Sequence, residues 1–154
     1  MKKIITAILV ATTIFTRPAV AQDSLAPFYK DILAFKAKDS LKPPPADPIL
    51  FIGSSSFTKW VDVQDYFPNH TILNRGFGGS SLPDEIRYVN DIVFPYHPKQ
   101  IVIYCGENDI AGSDTISAKT VLNRFITLFS MIRDSLPKVP VAFISIKPTP
   151  RRAK

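Results

Sequence analysis

With one cysteine in 154 residues, Cys105, the chain can close no internal disulfide. Cys105 ends an apolar run and reads as a buried small hydrophobe rather than a reactive thiol. The only histidines, His70 and His97, are solitary, and without a close cluster of His, Cys, Asp and Glu no metal site is expected. There is no G-x-x-x-x-G-K, and the one glycine-rich loop lacks the spacing G-x-G-x-x-G, which weakens a nucleotide-binding reading. A sustained excess of one charge is also missing. Of the 19 basic residues, Lys2, Lys3 and Arg17 lie near the N-terminus, and Lys147, Arg151, Arg152 and Lys154 lie at the other end. The remaining 12 stand against 13 acidic residues, so the basicity belongs to the two ends and no nucleic-acid partner is implied.

No apolar stretch is long enough to span a bilayer comfortably. The uncharged run Ile4 to Thr16 is preceded by Lys2 and Lys3 and followed by Ala19-Val20-Ala21 before Gln22. That order is the pattern of a secretory signal over residues 1–21, which predicts a secreted or periplasmic protein without a stable membrane anchor. No cysteine near the cleavage point could carry a lipid.

Residues 22–48 form an N-terminal helix and a connector. Phe28, Ile32, Leu33 and Phe35 space as one amphipathic helix over Phe28 to Lys38, and the proline-rich run Lys42 to Pro48 cannot continue it. The rest, 49–154, alternates apolar runs with helical spacing. Strands are expected at Ile49 to Ile52, Thr71 to Asn74, Ile101 to Tyr104 and Val141 to Ile146. Helices are expected at Ser56 to Trp60, with a serine N-cap, at Pro83 to Asp91, with Ile86 and Val89 to Asn90 inward, and at Ser117 to Leu136. On the last of these, Val121, Leu122, Phe125, Ile126, Leu128, Phe129 and Ile132 carry the helical period. Alternating strands and helices predict an α/β domain with a parallel sheet between helical layers. Only eight residues follow the fourth strand, which would then be an unprotected apolar edge, so the sequence predicts a domain cut short there.

Three short polar loops follow the first three strands: Gly53-Ser54-Ser55-Ser56, Asn74-Arg75-Gly76-Phe77-Gly78-Gly79 and Gly106-Glu107-Asn108-Asp109. In an open parallel sheet these converge at the carboxyl ends of the strands, where ligands bind. Ser55 is the candidate nucleophile, because the second residue after the strand-ending glycine reaches the sheet edge at the helix start. Gly79 can offer its N–H to an oxyanion with no side chain in the way. Asn108 is a neutral donor that does not titrate. Together they point to acyl-ester chemistry. Each has a plain structural alternative: the serines only cap a helix, the glycines shape a turn, and Asn108 caps or makes an Asx turn. Glu107 and Asp109, adjacent to Asn108, are expected to point apart on an extended segment rather than to face one another as a glycosidase pair. Trp60 and the phenylalanines read as core.

Taken together, the loops resemble those of the SGNH or GDSL-like hydrolases. Ile49 to Ser55 is similar to the first block of that family, with Ser54 where many members have aspartate and Ser55 in the nucleophile position. Asn74 to Gly79 resembles the second block, with Gly79 as its oxyanion glycine, and Gly106 to Asp109 the third, with Asn108 as its oxyanion asparagine. The wording, including Ile144-Ser145-Ile146-Lys147-Pro148, is most similar to the branch of platelet-activating-factor acetylhydrolase catalytic subunits. Over Pro48 to Pro148 the resemblance implies a flavodoxin-like three-layer α/β/α fold and cofactor-free hydrolysis of small esters, with acetylated carbohydrate as a substrate suggested by export. No G-x-S-x-G elbow is present, which separates the chain from the α/β-hydrolases.

The last block of the family, Asp-x-x-His, has no match. Phe67 and Phe94 stand three residues before His70 and His97, and both histidines precede the third block. The expectation is a serine esterase with its nucleophile and oxyanion donors but no base, inactive as it stands. The alternatives are a non-catalytic acyl- or sugar-binding protein and a flavodoxin-like mononucleotide binder that uses Ser54 to Ser56 for phosphate.

Overall fold

The computed structural model describes residues 26–147; the expected signal segment and residues 148–154 lie outside the described residues. Helix α1 (Tyr29–Leu41) leads to β1 (Ile49–Gly53), α2 (Ser55–Thr58), β2 (Ile72–Asn74), α3 (Leu82–Ile92), β3 (Gln100–Tyr104), α4 (Glu107–Ala111), α5 (Ala118–Ser135) and β4 (Val141–Phe143). Two 3-10 turns, Val63–Tyr66 and Phe94–Tyr96, complete the elements.

All strand pairs are parallel and the order is β2-β1-β3-β4. Ile49 lies opposite Ile72 on one side and Gln100 on the other, so β1 is the central strand from which the chain winds both ways. This is the doubly wound, flavodoxin-like arrangement, and its switch point falls between β1 and β3. The α/β expectation and all four strands are therefore realised.

The pleat sorts side chains alternately. Leu50, Ile52, Leu73, Ile101 and Ile103 join α3 and α5 in the main core, through Val89, Ile92, Leu128 and Ile132. Phe51 and Tyr104 point to the opposite face, where Phe57 and Val63 cover them with help from Trp60 and Phe67. Of the aromatic residues expected in the core, Phe51, Phe57 and Phe77 are buried there and Trp60 packs at its margin, whereas Phe143 is exposed; Phe51 meets Phe57 edge-on at 5.0 Å.

Several boundaries differ from the sequence reading. Helix α1 runs on to Leu41, but only Ile32 is buried and Leu33 is exposed, because the helix leans on α3 at the margin of the core. Helix α3 turns inward Leu82, Glu85, Tyr88, Val89 and Ile92, whereas Asn90 faces outward. Asp84 Oδ2 accepts from Ser81 N–H at 2.9 Å, which fixes the start of α3 one residue before Pro83. On α5, Ser117 Oγ accepts from Thr120 N–H, and Val121, Leu128 and Ile132 are buried while Leu122 and Ile126 are not. Strand β4 stops at Phe143, since only its first residues pair with β3. Among the described residues no helix is long and apolar enough to cross a membrane.

Candidate active site

Parallel strands bring Ser54-Ser55, Arg75 to Gly79 and Cys105 to Asn108 to one end of the sheet. Backbone bonds fasten the loops to one another: Ser54 N–H donates to Tyr104 O at 3.2 Å, and Phe77 N–H to Gly53 O at 2.9 Å. Gly53 makes this possible. Its φ is +139°, and a Cβ there would lie 2.0 Å from the carbonyl oxygen of Tyr104.

Ser55 opens α2 and is half-buried; Ser54 is 3% exposed and Ser56 faces solvent. The N-cap residue of α2 is Ser54, and it makes no side-chain capping bond. The helix also begins at Ser55 rather than Ser56. The capping alternative for the serines is thus not realised. A Cβ built on Gly78 would stand 4.0 Å from Ser55 Cβ, so the glycine loop passes beside the candidate nucleophile. Asn74 holds that loop in place: its Nδ2 donates to Phe57 O at 2.7 Å, in α2, and its Oδ1 accepts from Gly76 N–H at 2.9 Å.

Gly79 is exposed with φ +92°, and the nearest atoms to a Cβ there belong to the Phe28 ring at 3.8 Å. The next residue, Ser80, is fully buried and joins the second loop to the third. Its carbonyl oxygen accepts from Asn108 Nδ2 at 2.9 Å. The amide of Asn108 is therefore engaged across loops rather than in a local Asx turn, and the N-cap residue of α4 is Gly106.

The residues next to Asn108 diverge. Asp109 is buried, accepting from Leu82 N–H at 2.9 Å through Oδ2 and pairing with Arg124 at 2.7 Å through Oδ1. Glu107 accepts instead from Tyr104 OH at 3.1 Å. They point apart as expected, though on a short helix rather than an extended segment. Cys105 is buried as expected, and burial, reinforced by Glu85 and Asp109, pushes its thiol up and keeps it un-ionised.

Neither histidine reaches this end. His70 precedes β2 and His97 precedes β3, so both stand at the amino ends of the strands, exposed, at the opposite end of the sheet from Ser55. Among the described residues no three His, Cys, Asp or Glu side chains come together to hold a metal ion. Beside α2 lies a shallow groove of about 270 Å³, walled by Phe57, Trp60, Tyr104 and Ile144 with Ser56 and Lys147 at its polar margin.

No family model and no curated protein matches the sequence. Solved structures do match the fold. A structure from Streptococcus pneumonia named for platelet activating factor aligns with TM-score 0.65 at 21% identity, over 77% of this chain and 54% of its own. A GDSL-like lipase from Bacteroides thetaiotaomicron aligns with TM-score 0.65 at 19% identity, over 79% and 62%. AlinE4, an SGNH-hydrolase family esterase, aligns with TM-score 0.55 at 18% identity, over 69% and 62%. The chain has the SGNH/GDSL-like fold, and it spans 54 to 62% of the length of these proteins.

Proposed function

From that fold and the loops gathered at its switch point, we propose that the protein is a serine hydrolase of small esters, with Ser55 as nucleophile and Gly79 and Asn108 as oxyanion donors. The observation that carries this reading is the joining of the loops: Gly78 beside Ser55, and the Asn108 amide bonded to the residue after Gly79. Ser55 Oγ attacks the ester carbonyl, and the negative oxygen that forms is met by the N–H groups of Ser55 and Gly79 and by the Asn108 amide. Collapse breaks the bond to the alcohol, which leaves with the proton taken from Ser55. Water then attacks the acyl-enzyme and releases the acid. The groove beside α2, bordered by Ser56 next to the nucleophile, is below the size of drug-scale pockets, which begin at roughly 300 Å³, and its aromatic walls suit a short acyl group. An acetyl ester of a carbohydrate agrees with export, which the first 21 residues propose; the mature N-terminus, read by mass spectrometry, should then be Gln22.

The proton acceptor is the part this reading must add. His70 and His97 are on the wrong end of the strands and no other histidine occurs in the 154 residues, so this reading requires a base supplied by a longer form of the protein. In such a form, Ser55→Ala abolishes turnover of aryl acetates and Asn108→Ala lowers it on the order of 10²- to 10³-fold. Equal activity in wild type and Ser55→Ala overturns the reading. The absent base favours a second possibility, a cleft that binds acyl or sugar ligands without cleaving them. Saturable binding of an acetylated sugar, with Ser55 unlabelled by a fluorophosphonate in the longer form, would select it.

A further inference from the structure

Glu85 is the one inward residue of α3 with a carboxyl group, and it is 0% exposed. Its Oε1 lies 2.8 Å from Ser80 Oγ, while Oε2 has no hydrogen-bond partner among the described residues. A buried carboxyl with an empty oxygen is costly unless it stays protonated. The groups that face it deepen that cost. Asp84 on its own helix and Asp109 on α4 both repel its charge, and Cys105 at the end of β3 is neutral. Arg124 of α5 is occupied by Asp109. Burial is the largest influence and pushes the Glu85 carboxyl up to about 8, against the opposing effect of the Ser80 hydroxyl.

The position of Ser80 gives this carboxyl a lever on the cleft. Ser80 follows Gly79 directly, its hydroxyl meets Glu85, and its carbonyl holds the Asn108 amide at 2.9 Å. We propose that Glu85 is a positioning residue of the cleft: through the Ser80 side chain it sets the Ser80 peptide, and with it both the Gly79 N–H and the Asn108 amide. Calling those two groups oxyanion donors rests on the hydrolase reading; the coupling itself rests only on the bonds. When Glu85 ionises, the bond that the Ser80 hydroxyl already donates to Oε1 tightens and the new charge is repelled by Asp84 and Asp109, so the shared peptide shifts and both donors move with it.

The test follows the Gly79 backbone amide and the Asn108 side-chain amide by ¹H–¹⁵N NMR in wild type, Glu85→Gln and Glu85→Leu between pH 5 and 9. In wild type both signals should move together with one midpoint near 8. In Glu85→Gln, which keeps an acceptor for Ser80 but cannot ionise, both should stay at their low-pH wild-type positions. In Glu85→Leu both should shift away at every pH while the signals of β1 and β3 remain. Gly79 and Asn108 signals indifferent to pH in wild type overturn the proposal, even if Glu85→Leu fails to fold. Fluorophosphonate labelling of Ser55, measured in a longer form, separates the two claims. An inert Ser55 with both signals tracking Glu85 overturns the hydrolase reading and supports the coupling; a labelled Ser55 with both signals fixed does the reverse.

Discussion

Asp109 accepts a hydrogen bond from the backbone N–H of Leu82 at 2.9 Å, so a side chain of the third loop caps the start of the helix that follows the second loop. Its other oxygen pairs with Arg124, which brings α5 into the same joint. Asn108 is thereby anchored through its neighbour as well as through Ser80.

Removing that joint should be expensive. Asp109→Ala leaves Arg124 half-buried without a counter-charge and Leu82 N–H without an acceptor, a loss of about 3 kcal/mol by comparison with other broken buried pairs. Urea unfolding of residues 22–154 measures it. Because Arg124 keeps some access to water, Arg124→Ala should cost less than Asp109→Ala, and the reverse order would show that the Leu82 bond is unimportant.

Gly53→Ala should damage the fold more than Gly79→Ala, although both glycines have positive φ. At Gly53 the added Cβ meets Tyr104 O at 2.0 Å, a backbone atom of the neighbouring strand that cannot step aside. Overpacking and backbone strain together suggest about 4 kcal/mol. At Gly79 the nearest atoms are 3.8 Å away on the Phe28 ring, so only the strain of about 1 to 2 kcal/mol remains. Thermal melts of the two variants check the order.

What the sequence shows and what it hides follow from range. Strands β1 to β3 and their loops are legible because apolar runs end at glycines, and five of the six glycines stand in those three loops. The residues that join the loops are not legible. Glu85 occupies an inward position on α3, where a charged residue reads as solvent-facing, and its partner Ser80 is recognised only once the chain is folded. Asn74 and Asp109 act across 17 and 27 residues, beyond any local spacing rule. The period on α5 places Leu122 and Ile126 with the core, and the structure leaves them outside because nothing among the described residues packs there. Where the histidines stand is decided by strand direction alone.

The Glu85 carboxyl also makes stability depend on pH in a stated direction. Its folded value, about 8, lies above the ordinary carboxyl value of 4.5, so between these limits the folded state holds a proton the unfolded state has released. Stability should therefore be greatest below pH 4.5 as far as this group is concerned, fall as pH rises towards 8, and level off above it. The slope cannot exceed about 1.4 kcal/mol per pH unit for one proton. Glu85→Gln removes that slope. The difference in melting temperature between Glu85→Gln and wild type should grow in favour of the variant from pH 5 to pH 8, and a difference constant with pH would show that Glu85 is already ionised in the folded protein.

The outer face of α5 and the rim of β4 should drive residues 22–154 to associate with themselves. Leu122 and Ile126 on α5 are 55% and 51% exposed, and Phe143 of β4 and Ile144 after it are each 42% exposed. Phe143 packs on Phe125 at 4.7 Å, which makes helix and strand one apolar surface rather than scattered residues. Such a surface next to a strand whose outer edge is unpaired among the described residues is a template for a second copy. Burying half of a Leu or Ile side chain is worth about 1 kcal/mol, so these few residues support only weak, concentration-dependent association, in the range from roughly micromolar to millimolar. Analytical ultracentrifugation should show mass rising with concentration, and the double variant Leu122→Lys, Ile126→Glu should return it to the monomer with an unchanged circular dichroism spectrum. Those two positions contribute little to the core, so their loss leaves the fold intact. A wild-type protein that stays monomeric throughout that range would show that this face is tolerated by water as it is.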